Sequence, residues 1–154
     1  MNPELFEALL ASYPKEESTC DRVLFPNQCA IRMGVALEGA GVSTADFNVR
    51  RCATAYSAHP VLKTHKPGHI LAAQELANAL ARNPMRLSPG IDTKRFTGPM
   101  SSHWNTFGLY KGIIFIQNGW GPTDHIDLWN GVRFKGGDPS YIHVGVQIWF
   151  WRIA

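Results

Sequence analysis

The chain has 154 residues, 45% hydrophobic and 18% charged, with a net charge of +3. That balance describes a folded chain with a sizeable core rather than a disordered one. No apolar run approaches the roughly 20 residues that span a bilayer, and no basic stripe is interleaved with aromatics, so neither membrane insertion nor nucleic-acid binding is expected.

The first residues, Met1-Asn2-Pro3-Glu4-Leu5-Phe6-Glu7, carry acid and no Lys or Arg. A secretory signal is therefore not expected, and action outside the cell needs another export route. The three cysteines, Cys20, Cys29 and Cys52, are too few for a disulfide scaffold or a four-thiol zinc site. A Cys20–Cys52 bridge would leave Cys29 as the single thiol.

Residues 2–13 read as a helix. Asn2 can cap it, Pro3 suits the first turn, and Glu4 and Glu7 favour its positive end. Leu5, Phe6, Leu9, Leu10 and Tyr13 make one apolar stripe, and Pro14 stops the helix. After a polar stretch, a second helix opens at Cys29. Ala30, Met33 and Leu37 share one face, while Ile31 and Val35 widen the apolar surface, which predicts a buried helix ending at Gly39-Ala40-Gly41.

Residues 42–66 have no regular pattern. Ile70, Ala73, Leu76, Ala77 and Leu80 recur at helical spacing, predicting a third helix over Ile70 to Arg82 that Asn83-Pro84 ends. Residues 84–108 are rich in Pro, Gly, Ser and Thr and read as loop. The remainder is strand-like: Gly112 to Gln117, a Gly119-Trp120-Gly121 turn, His125 to Trp129, and an alternating run from Tyr141 to Trp151. Helices first and strands after predict an α+β fold with an antiparallel sheet, formed as one domain over residues 1–154.

Two positions carry the chemistry. A thiol at a helix start meets unpaired backbone N–H groups, which favour the thiolate and can also stabilise an oxyanion. Cys29 stands at such a position. His125 opens a strand at the sheet rim, where an imidazole can point into a cleft. A cysteine nucleophile with a histidine base also needs a third group to orient the ring. Asp138, in the turn before the next strand, is the expected partner, with His143 as the other candidate. Asp127 shares a strand face with His125, but neighbours along one strand are expected to orient each other poorly.

Asn27-Gln28-Cys29-Ala30-Ile31-Arg32-Met33 and His125-Ile126-Asp127-Leu128-Trp129-Asn130-Gly131 resemble the two active-site signatures of the fourth family of type VI secretion amidase effectors. The segments Lys111-Gly112-Ile113-Ile114 and Val144-Gly145 to Trp149 also fit. The resemblance implies a compact papain-like fold of the NlpC type. It implies cleavage of peptidoglycan stem peptides between the γ-carboxyl of D-glutamate and meso-diaminopimelate, through a cysteine acyl-enzyme and without metal or cofactor. It further implies synthesis in the cytoplasm, delivery by the type VI apparatus into the periplasm of rival bacteria, and a cognate immunity protein. The family's nucleophile and base map to Cys29 and His125. Its aspartate soon after the Trp-Asn-Gly segment favours Asp138, although the spacing is longer here and flanking cysteines are absent.

Trp120 and Trp129 flank His125 and are candidates to wall a substrate groove, with core packing as the alternative. Asn27 and Gln28 are candidate oxyanion donors or helix caps. Arg32, on a buried helix, is expected to pair with an internal carboxylate rather than to bind substrate. His59, His65 and His69 are expected in a solvated loop rather than at a metal, because Pro60 and Pro67 interrupt any shared helix. Two other functions fit the same residues: a different Cys-His-Asp enzyme such as an acyltransferase, or a non-catalytic module binding glycan or protein through its tryptophans.

Overall fold

The computed structural model describes residues 1–14, 28–52 and 68–154. Helix α1 spans Pro3–Ser12. Asn2 Oδ1 accepts the Leu5 N–H at 3.0 Å, satisfying one of the orphan donors at the helix start. Leu5, Phe6 and Leu9 fall on one buried face. Tyr13 then turns extended, as a residue before proline must.

Helix α2 spans Cys29–Gly39 and is buried nearly all round, as its broad apolar surface predicts. Glu38, near its end, accepts the Thr44 N–H at 2.7 Å and the Thr44 hydroxyl at 2.6 Å, which ties down the loop that follows.

Helix α3 spans Ala73–Arg82. It starts three residues later than the periodicity predicts, because Ile70 is used elsewhere. Arg51 and Ile70 form an isolated antiparallel bridge. Cys52 N–H donates to His69 O at 2.9 Å, and Leu71 N–H to Arg50 O at 3.0 Å. These bonds hold residues 69–71 extended, so the helix begins only beyond Ala72. His69, expected in a solvated loop, is instead buried. His59 and His65 lie outside the described residues.

The region read as loop, residues 84–108, is more ordered than its composition indicates. It carries 3-10 turns at Pro84–Arg86 and Met100–His103, strand β1 at Lys94–Thr97 and a short helix α4 at Trp104–Phe107. The Lys-Arg-Phe-Thr sequence of β1 has no strand signature. The strand exists because β4 pairs with it, and its charge suits an exposed sheet edge.

Strands β2 (Gly112–Trp120), β3 (Thr123–Trp129) and β4 (Gln147–Arg152) complete a four-stranded antiparallel sheet in the order β1-β4-β2-β3. Trp120 ends β2 rather than sitting mid-turn. The alternating run from Tyr141 is only partly strand. Asp138 caps a 3-10 turn over Pro139–His143, and β4 begins at Gln147. Pro139 at the first turn position and the Asp138 cap win there over the alternating pattern.

The sheet has a core on each face. Ile113, Phe115, Ile126, Leu128 and Trp151 pack with Phe6, Leu9, Met33, Leu37 and Leu76 of the three longer helices. Ile114, Ile116, Trp129, Ile148 and Phe150 pack with Met100, Phe107 and Phe134. Phe115, fully buried and edge-on to Trp149 at 5.4 Å, anchors the first core. Phe115→Ala should cost about 3–5 kcal/mol, whereas Met85→Ala, at an exposed turn, should stay within about 0.5 kcal/mol. Urea unfolding midpoints would check both.

Candidate active site

Cys29 is the first residue of α2 and is buried. His125 sits on β3, an edge strand of the sheet, and its side chain is 12% exposed. The two side chains are hydrogen-bonded to each other. The expected thiol–imidazole pair is therefore formed in space by residues far apart in sequence.

The third partner differs from the expectation. His125 Nε2 meets Asp127 Oδ2 at 2.8 Å. With Nε2 committed to Asp127, the thiol contact falls to Nδ1. Asp138 is exposed, and its Oδ1 accepts the Ser140 N–H at 2.9 Å and the Ser140 hydroxyl at 2.7 Å. These bonds, led by the backbone one, hold its carboxyl below the ordinary range. Asp138 is thus a helix cap, and His143 is an exposed residue at the end of the same turn.

Asp127 orients the ring well for a reason that strand geometry alone misses. Residues two apart on a strand face lie roughly 6–7 Å apart, so a carboxylate held only by its own strand would wander. Asp127 is clamped from outside. Oδ1 accepts Leu128 N–H at 2.8 Å and Gly136 N–H at 3.0 Å, and Oδ2 accepts Gly137 N–H at 2.7 Å. The turn requires glycine, because a Cβ on Gly137 would collide with Tyr141 and with His125 Nε2.

Aromatic rings surround the imidazole. Tyr141 stands edge-on at 5.0 Å and Trp120 at 6.2 Å, with Trp120 and Tyr141 themselves 4.6 Å apart. Trp120 is 39% exposed, so its ring stays open to a ligand. That of Trp129 does not. It is fully buried, and its Nε1 donates to Phe107 O at 2.7 Å. Gln28 is buried beside Cys29, and its side chain does not cap α2. Asn27 and Cys20 lie outside the described residues, while Cys52 is buried against Ile31. Gly136 and Gly137 read locally as a turn, but neither their N–H groups nor Tyr141 were marked as part of the site by any local pattern.

Among the described residues, no group of three or more His, Cys, Asp or Glu side chains is placed to hold a metal ion. No helix among them is long and apolar enough to cross a membrane. Two cavities of about 460 and 470 Å³ lie elsewhere, and neither is lined by Cys29 or His125.

Burial alone would lower the His125 pKa, but the hydrogen bond and charge of Asp127, with the contact to Cys29, outweigh it and raise the group to about 9. A value raised on folding means that the charged ring stabilises the native state. That contribution is complete below pH ~6.5 and fades as pH rises through about 9. An NMR titration of the His125 ring should therefore show a midpoint near 9. A midpoint at or below the ordinary histidine value would contradict this balance of forces.

Residues 25–151 match the family described as type VI secretion system (T6SS) amidase effector protein 4, Tae4. Curated proteins offer no match. Solved structures share the fold. The Tae4–Tai4 effector–immunity complex from Salmonella Typhimurium aligns at 18% identity and a TM-score of 0.65, covering 99% of this chain and 97% of that one. Tae4 from Enterobacter cloacae aligns at 16% identity and a TM-score of 0.63, covering 99% and 95%. The family match covers residues 25–151, most of the chain, and on that ground the chain belongs to the T6SS amidase effector protein 4 family.

Proposed function

We propose that residues 1–154 act as one papain-like, NlpC-type domain that hydrolyses the amide between D-glutamate and meso-diaminopimelate in peptidoglycan stem peptides. The observation that carries this reading is the hydrogen-bonded series Cys29–His125–Asp127 at the start of a buried helix. Membership in an amidase effector family narrows the substrate to peptidoglycan.

The Cys29 thiolate attacks the γ-glutamyl carbonyl, and the carbonyl oxygen takes up negative charge. The Cys29 backbone N–H, in the first turn of α2, is the donor nearest that charge in sequence and stabilises it. Gln28, buried next to it, supplies the second donor. His125, already protonated by its proton exchange with the thiol, gives that proton to the leaving amine as the bond breaks. The neutral imidazole then takes a proton from water, which attacks the thioester and releases the acid. Asp127 holds the ring throughout. Trp120 and Tyr141 form the aromatic wall along which the stem peptide lies.

The reading includes delivery through the type VI apparatus into the periplasm of a rival bacterium, and family membership supports it. The Salmonella Typhimurium relative was solved with its immunity protein, and a cognate immunity protein is expected here as well.

Digestion of Gram-negative peptidoglycan, read by mass spectrometry, tests this reading. Wild type should produce new termini at the γ-D-glutamyl–diaminopimelate bond, and Cys29→Ala should produce none. Asp127→Asn should lose about 10²-fold or more in rate, while Asp138→Ala should stay within a few-fold of wild type. Intact stem peptides after treatment with folded wild type would overturn the hydrolase reading. A loss in Asp138→Ala equal to that in Asp127→Asn would return the orienting role to Asp138.

A further inference from the structure

Arg32 is the unexplained residue of the site. It lies one turn beyond Cys29, so the two side chains leave the same face of α2. Its Nε is buried and makes no hydrogen bond, an expensive state for a guanidinium with five donors. The expectation of a direct internal carboxylate partner is not met among the described ion pairs. Its side-chain hydrogen bond goes instead to the Tyr13 phenol.

Tyr13 is itself buried, at the end of α1. Its hydroxyl lies against Gly136 so closely that a Cβ on that glycine would collide with it. Gly136 and Gly137 are the residues whose N–H groups clamp Asp127. A continuous path therefore runs from Arg32 through Tyr13 and the glycine turn to Asp127, His125 and back to Cys29. Burial first, and then the charge of Asp127, push the Tyr13 hydroxyl above its ordinary range. The phenol is thus a neutral spacer, and the charge on this path is that of Arg32.

We propose that Arg32, seated by Tyr13, is a positioning residue that supplies the countercharge for the Cys29–His125–Asp127 site. The inference rests on the catalytic reading above. In the reactive state the thiolate, imidazolium and carboxylate sum to one negative charge in a nearly closed site. An uncompensated buried charge is costly, and Arg32 brings the sum to zero. The described titratable groups that contact this cluster are Tyr13 from α1, Cys29 and Arg32 from α2, His125 and Asp127 from β3, and Tyr141 from the 139–143 turn. Of these, Arg32 alone carries a permanent positive charge.

Removing that charge weakens the thiolate and strengthens the imidazolium. Both limbs of the pH profile must then move to higher pH. The test compares wild type, Arg32→Met, Arg32→Lys and Tyr13→Phe in two assays. One is the rate of iodoacetamide labelling of the Cys29 peptide against pH, and the other is peptidoglycan cleavage against pH. Arg32→Met should move both limbs up by about one pH unit and lower kcat near neutral pH several-fold with KM little changed. Arg32→Lys should restore most of the wild-type profile. Tyr13→Phe keeps the ring and removes only the hydroxyl, and it should shift the limbs in the same direction by less. A Tyr13→Phe profile that overlays wild type overturns the inference, whether or not Arg32→Met folds. Wild-type Cys29 that labels no faster than a simple thiol overturns instead the catalytic reading beneath it.

Discussion

A carboxylate sealed from solvent must find all its hydrogen bonds inside the protein, and Asp127 finds four donors. Three come from backbone N–H groups of Leu128, Gly136 and Gly137, and one from His125. The backbone donors fix the carboxylate, the carboxylate fixes the ring, and the ring meets the thiol. The pleat of β3 alone would leave this arrangement loose. The returning glycine turn makes it rigid, because no side chain intervenes between its backbone and the site.

The rest of the fold delivers the pieces to this point. Helix α2 is buried on nearly every side, which fixes the direction of its first turn and so of Cys29. The sheet is packed on both faces, so the rim position of His125 cannot shift without disturbing one core or the other. Helix α1 contributes Tyr13, whose phenol meets the Gly136 turn and the Arg32 guanidinium together. Three separate elements thus converge behind the imidazole. The open side carries Trp120, the exposed member of the aromatic group.

The solved relatives keep this fold at 16–18% identity over nearly their whole length. That combination is expected where the constraint is a pattern of buried volume rather than particular side chains. Cores accept many hydrophobic substitutions if volume and patterning are kept.

The local signals were strong for the helices, the strand-rich second half and the Cys29–His125 pair. Capping by Asn2, the stop at Pro14 and the broad apolar surface of α2 are set by neighbours in sequence, and they appear where the pattern places them. Three matters were decided only in space. Strand β1 has no signature of its own and exists because β4 offers it a hydrogen-bonding edge. Helix α3 loses its first expected turn because residues 50–52 claim the backbone of residues 69–71. Asp127 displaces Asp138 beside His125 because the N–H groups of the Gly136-Gly137 turn hold it there, while Asp138 spends its carboxylate on Ser140. The sequence by itself determined which residue types the chemistry requires and which periodicities build the core, because both are properties of single residues and near neighbours. Tertiary structure decided which aspartate serves the histidine, because hydrogen-bond partners brought from distant turns are invisible to any local pattern.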